Sequence, residues 1–128
     1  MNEDGIYSFD DSHPIPNLDV CDIEVERKGG GADLIVIIAS PMANDMKSRK
    51  RLMKKLDNYL GYITSETFAT RYGAPSRATT SITVRYHPDT DAGIKELLNE
   101  CSGWVEDNGA TLRLKPLEPK NYPTSQAQ

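Results

Sequence analysis

Ser40, His87 and Asp89 are the residues of this sequence whose types suit bond-breaking chemistry: a hydroxyl nucleophile, an imidazole base and a carboxylate to orient it. Their spacing requires the fold to bring them together. Ser40 follows the apolar run Leu34 to Ala39, and His87 closes the alternating run Ile82 to His87. If those runs are neighbouring parallel strands, both residues leave the sheet at one edge, with Asp45 and Asp91 nearby. That edge is where open α/β sheets place ligands. The local sequence argues against a hydrolase, however. Ser40 precedes Pro41 without the glycine-flanked elbow that exposes a nucleophilic serine, and "HPDTD" reads as a strand end followed by helix-capping groups. No catalytic residue is assigned, and enzyme activity is the less favoured reading.

The stretch "KSRKRLMKKL" raises a second chemistry, because Lys47, Arg49, Lys50, Arg51, Lys54 and Lys55 lie close together in a chain of formal net charge −4. Several cations along one helix are the footprint of phosphate-backbone binding. Helix-turn-helix, RNP and zinc-finger patterns are absent, though, and few aromatics interleave with the cations, so anion or nucleic-acid binding stands as the alternative reading. The charge distribution offers another match: residues 1–26 hold eight acids and no Lys or Arg, while all 15 basic residues follow. The acidic front is thus available to neutralise the basic segment within the same chain.

Metal and cofactor chemistry finds little support. His13 and His87 are far apart, Cys21 and Cys101 form no CxxC or Cys/His ligand spacing, and "KGGGAD" is neither GxGxxG nor GxxxxGK[ST]. No metal or cofactor is expected.

The elements that position these residues follow from periodicity. "VCDIEVER" alternates Cys21, Ile23 and Val25 with Asp22, Glu24 and Glu26, which predicts an edge strand burying the first set. "KGGGAD" supplies a hairpin turn, and Leu34 to Ala39 is the unbroken aliphatic run of a central strand. From Asp45 to Leu60 the apolar positions Leu52, Met53, Leu56, Tyr59 and Leu60 form a helical stripe, with Asn44 as N-cap or Ser40 as a competing start. On that helix Lys47, Lys50, Arg51 and Lys54 fall opposite the stripe, facing outward, and Arg49 and Lys55 flank it. A short helix over 65–72 closes at Gly73 and Pro75, and "SITVRYH" gives a third strand. Ile94, Leu97, Leu98, Cys101, Trp104 and Val105 form the stripe of a further helix ending at Asn108-Gly109, with Trp104 read as core, and "ATLRLK" is the fourth strand.

This order predicts an α/β fold, with α+β as the variant. It is a two-layer sandwich with a four-stranded mixed sheet, elements β-β-α-α-β-α-β along the chain and helices mainly on one face. The domain organisation is an acidic, proline-containing arm over 1–20, a single domain over 21–116 and a flexible tail over 117–128. No apolar run approaches the roughly 20 residues of a membrane span, and the acidic N-terminus lacks the cations and apolar stretch of a secretory signal, which predicts a cytoplasmic protein with no membrane partner. Ile35 and Ile37, or their alternates, face away from the helices, beside Arg85, and need a cover: the N-terminal arm with Tyr7, Phe9 and Ile15, a second copy of the chain or a different protein. The function read from these residues is a small non-enzymatic binding or accessory protein, regulatory or immunity-like. Its binding residues are Lys47, Lys50, Arg51, Lys54, Ile35, Ile37 and Arg85, and its partner is another protein or a second copy of the chain.

Overall fold

Seven residues rich in β-branched side chains, Ala32–Ile38, form the strand around which everything else is built, in a computed structural model that describes residues 7–118. This strand is β2. Along the chain lie β1 (Ile23–Glu26), β2, α1 (Met46–Ile63), α2 (Glu66–Tyr72), β3 (Thr80–Tyr86), α3 (Ala92–Glu100), α4 (Ser102–Asp107) and β4 (Thr111–Pro116). They make one sheet of spatial order β1-β2-β3-β4, with β1 antiparallel to β2 and the other pairs parallel. The two-layer α/β sandwich with a mixed sheet is the architecture the sequence order implies.

The core is one-sided. Ala32, Leu34, Val36 and Ile38 of β2 are buried, as are Ile82 and Val84 of β3 and Leu112 of β4. They meet Leu52, Leu56, Leu60 and Ile63 of α1, Phe68 of α2, Ile94 and Leu98 of α3 and Val105 of α4. Each such side chain contributes about 1.5–3 kcal/mol by leaving water. The intervening residues of β2, Asp33, Ile35 and Ile37, lie on the uncovered face and are only half-buried.

Local chemistry sets the boundaries. Asp45, rather than Asn44, caps α1: its Oδ1 accepts from Ser48 N at 2.7 Å, while Asn44 Oδ1 accepts from Arg49 Nη1 at 3.0 Å. A carboxylate at that place also complements the positive end of the helix dipole. Ser65 Oγ caps α2, and Gly73, at φ +91°, closes it. The expected third helix is two: the turn at Cys101 separates α3 from α4, close to Gly103, a poorer helix former than the residues upstream. In the β1–β2 hairpin Gly31 sits at φ +90°, donates its N–H to Tyr72 O at 2.9 Å, and leaves no room for a Cβ, which would lie 2.0 Å from Thr79 O.

Two expectations are corrected. The faces of β1 are inverted: Glu24 pairs with buried Leu34 and points to the helix side, whereas Ile23 and Val25 are 42% and 46% exposed on the open face. Polar groups from the helices make this tolerable, since Glu24 accepts from Tyr62 Oη and Tyr72 Oη. Trp104 is half-buried at the margin of the core rather than within it.

The segment before β1 is seated on α1, not beside it. Ile15 and Leu18 belong to the core, and a small antiparallel bridge joins Phe9 to Asn17. The tail expected over 117–128 lies, from residue 119, outside the described residues, as do residues 1–6 of the arm.

Candidate binding surfaces

Of the four cations expected to face outward on α1, Lys47, Lys50 and Lys54 are exposed and Arg51 is not. Arg51 and Lys55 are fully buried, four residues apart on the side of the helix that the arm covers. Arg51 donates from Nε and Nη2 to Ile15 O at 3.0 and 2.6 Å and from Nη1 to Tyr7 O at 2.5 Å. Lys55 Nζ donates to Asn17 O at 2.5 Å, to Val20 O at 2.8 Å and to Asp22 Oδ1 at 3.0 Å. Buried cations are tolerated because their donors are matched, here mostly by main-chain carbonyls. Lys47 pairs with Asp10 at 2.7 Å, and that hydrogen bond, helped by Ser12, holds the Asp10 carboxyl far below the usual range. His13 Nε2 lies 2.9 Å from Ser48 Oγ, and Asn58 Nδ2 donates to Leu18 O at 2.8 Å. The arm therefore answers the basic cluster within the chain, and of the residues proposed for binding Arg51 is inaccessible and Lys47 is engaged. Lys50 and Lys54 remain exposed.

The uncovered sheet face gathers the other proposed residues. Register places Ile23 beside Ile35, Ile35 beside Thr83 and Thr83 beside Arg113 in one row, and Ile37, Arg85 and Lys115 in the next. An aliphatic strip of Ile23, Val25, Ile35 and Ile37 thus lies along the β1–β2 half, and a cationic row of Arg85, Arg113 and Lys115 along the β3–β4 half. At one end Arg27 donates from Nε and Nη2 to Asp33 Oδ1, which also accepts from Ser81 Oγ at 2.6 Å. Burial pulls the Asp33 carboxyl up, but Arg27 and Ser81 outweigh it and hold it below the ordinary value. Arg85 and Lys115 form no ion pair among the described residues. Sequence reasoning found Ile35, Ile37 and Arg85 but assigned Ile23 and Val25 to the core.

A third cluster, missed entirely, surrounds Glu24. Its Oε2 accepts from the hydroxyls of Tyr62 at 2.7 Å and of Tyr72, with Arg71 Nη1 at 3.6 Å. Burial raises the Glu24 carboxyl, yet Tyr72, Tyr62 and Arg71 bring it below its usual value, and the same hydrogen bond, with burial, pushes Tyr72 up to about 12. Both phenols stay protonated as donors. The group borders a cleft of about 280 Å³ lined also by Leu18, Cys21, Asn58 and Tyr59. Its hydrogen bonds are made internally, so it ties α1 and α2 to the edge strand.

At the carboxyl edge, β2 and β3 do run parallel and adjacent, and His87 N donates to Ile38 O at 2.9 Å. Ser40 and His87 therefore leave the sheet side by side as expected. No hydrogen bond joins them among the described residues. His87 Nδ1 instead accepts from Asp89 N at 3.0 Å, and Asp45 and Asp91 spend their carboxylates capping α1 and α3. No group of three or more His, Cys, Asp or Glu side chains able to hold a metal ion occurs among the described residues. No helix among them is long and apolar enough to cross a membrane. No known protein family, curated protein or solved structure matches this chain.

Proposed function

We propose that this is a small cytoplasmic, non-enzymatic binding protein that uses its open sheet face to hold a partner protein whose apolar residues are bordered by acids. The observation that carries this reading is the aliphatic strip Ile23, Val25, Ile35 and Ile37, which no described element covers on the face opposite the helices, with Arg85, Arg113 and Lys115 beside it. Apolar centres give interfaces their affinity and charged margins their selectivity. An acidic partner suits the cationic row better than a second copy of the chain does, since a second copy presents the same cations rather than a matching acidic row. Nucleic acid is disfavoured on this face because no aromatic side chain stands among its residues to stack on bases, and on α1 because Arg51 and Lys55 are already satisfied. Two unpaired thiols, each made less acidic by burial, support a reducing compartment.

The test places a photo-crosslinking side chain at Ile37, and separately at Thr70 on the outer surface of α2, in cells. The reading expects a defined adduct from position 37 that fades when Arg113→Glu and Lys115→Glu are added, and none from position 70. An adduct of the chain with itself would instead assign the face to self-association, and the absence of any adduct would sink the proposal.

A further inference from the structure

On the other layer of the molecule, α1 and the α3–α4 pair lie over the same face of the sheet without closing on each other. Each follows a strand of the parallel β2–β3–β4 set, so both run back across the sheet side by side. Between them is an open trough of about 490 Å³. Its floor is apolar, made of Met53 from α1, Leu97 from α3 and Trp104 from α4, all half-buried, with Cys101 Sγ beneath, 3.6 Å from Met53 Sδ. Its rim is cationic: Arg49, Lys50 and Lys54 stand along the α1 side against the single acid Asp57.

We propose that this trough docks an acidic amphipathic helix of a partner protein. The shape fits, since a furrow between two neighbouring helices accepts the ridge of a third, with side chains at i, i+3 or i+4 and i+7 dropping into it. The charge fits as well: Arg49 and Lys54 on one bank favour a helix whose polar flank carries Glu or Asp. Among the described residues Lys54 is held loosely by Asp57, at 3.9 Å between exposed groups, and Arg49 by the Asn44 amide, so both can turn to an incoming carboxylate. Trp104 and Met53 are the adaptable, polarisable residues that commonly anchor such contacts. The site is independent of the sheet face.

The chain has one tryptophan, so the emission of Trp104 reports directly on the trough. The full-length protein is titrated with a tryptophan-free helical peptide carrying Leu on one face and Glu elsewhere, with the same peptide in which Lys replaces Glu, and with decanoate. The acidic peptide is expected to shift the emission to the blue and saturate in the micromolar range, weakening about tenfold or more in Arg49→Glu/Lys54→Glu, a variant confined to exposed positions. It is expected to be indifferent to Ile35→Lys, which separates this site from the sheet face. No shift, an equal response to the Lys peptide, persistence of binding in the charge-reversed variant, or a response to decanoate alone, which would make the trough a site for small anionic amphiphiles, would each overturn the proposal.

Discussion

Arg51 shows most clearly how a side chain's role depends on what reaches it. In the sequence it is one of six cations, yet in the fold it is fully buried and held by the carbonyls of Tyr7 and Ile15. Lys54, three residues on, is exposed and lies 3.9 Å from Asp57. Replacement by Met, which keeps much of the aliphatic stem, separates the two. Arg51→Met leaves buried carbonyls without donors and is expected to lower stability by about 2–4 kcal/mol in urea unfolding. Lys54→Met is expected to change it by no more than about 0.5 kcal/mol. Equal, small effects would show that the arm does not depend on Arg51 for its seat.

At the level of elements, the arm is fastened in a way that depends on the protonation of His13. Nδ1 accepts from Ile15 N at 3.0 Å, so the ring proton sits on Nε2 and donates to Ser48 Oγ. Protonating Nδ1 would set a donor against a donor. Burial, then the positive charges of Arg51 and Lys47, lower the His13 pKa from 6.5, against the opposing pull of Asp10 and Asp45. The unfolded chain therefore takes up this proton first. The stability contributed by the neutral ring is fully present above about pH 6.5 and is lost as pH falls from there toward the depressed native value. Urea midpoints measured between about pH 7.5 and about pH 5 should fall more steeply for the native chain than for His13→Gln. Parallel slopes would mean that His13 is not the sensitive group. None of this fastening is announced locally in the sequence. The strands and helices were legible because β-branched runs, helical stripes and glycine punctuation act over a few residues. The facing of β1 was not, because alternation defines two faces without saying which turns inward. Glu24 turns inward on hydroxyls that lie 38 and 48 residues downstream. The burial of Arg51 and Lys55 was hidden for a further reason: apart from Asp22, their partners are main-chain carbonyls, which every residue carries.

For the molecule as a whole, the boundary drawn at residue 20 divides a sequence of changing composition but not a changing core. Ile15 and Leu18 are buried with the residues of α1, each worth about 1.5–3 kcal/mol, and their removal also exposes the sites of Arg51 and Lys55. Against a total stability of about 5–15 kcal/mol for a domain, residues 21–128 alone are expected to melt far below the full chain by circular dichroism, or not to fold cooperatively at all. A shortened chain that melts like the full one would make the arm an accessory rather than part of the domain.

The sheet has a further property that follows from its order alone. Neighbours in space are neighbours in sequence throughout, β1-β2-β3-β4. As the chain is synthesised, each strand therefore meets an edge that is already exposed, and no later strand has to push between two that have paired. That order allows the sheet to grow in one direction, from the hairpin outward, and β4, last among the described strands, lies at the rim, where Pro116 at its end has no N–H to offer another strand.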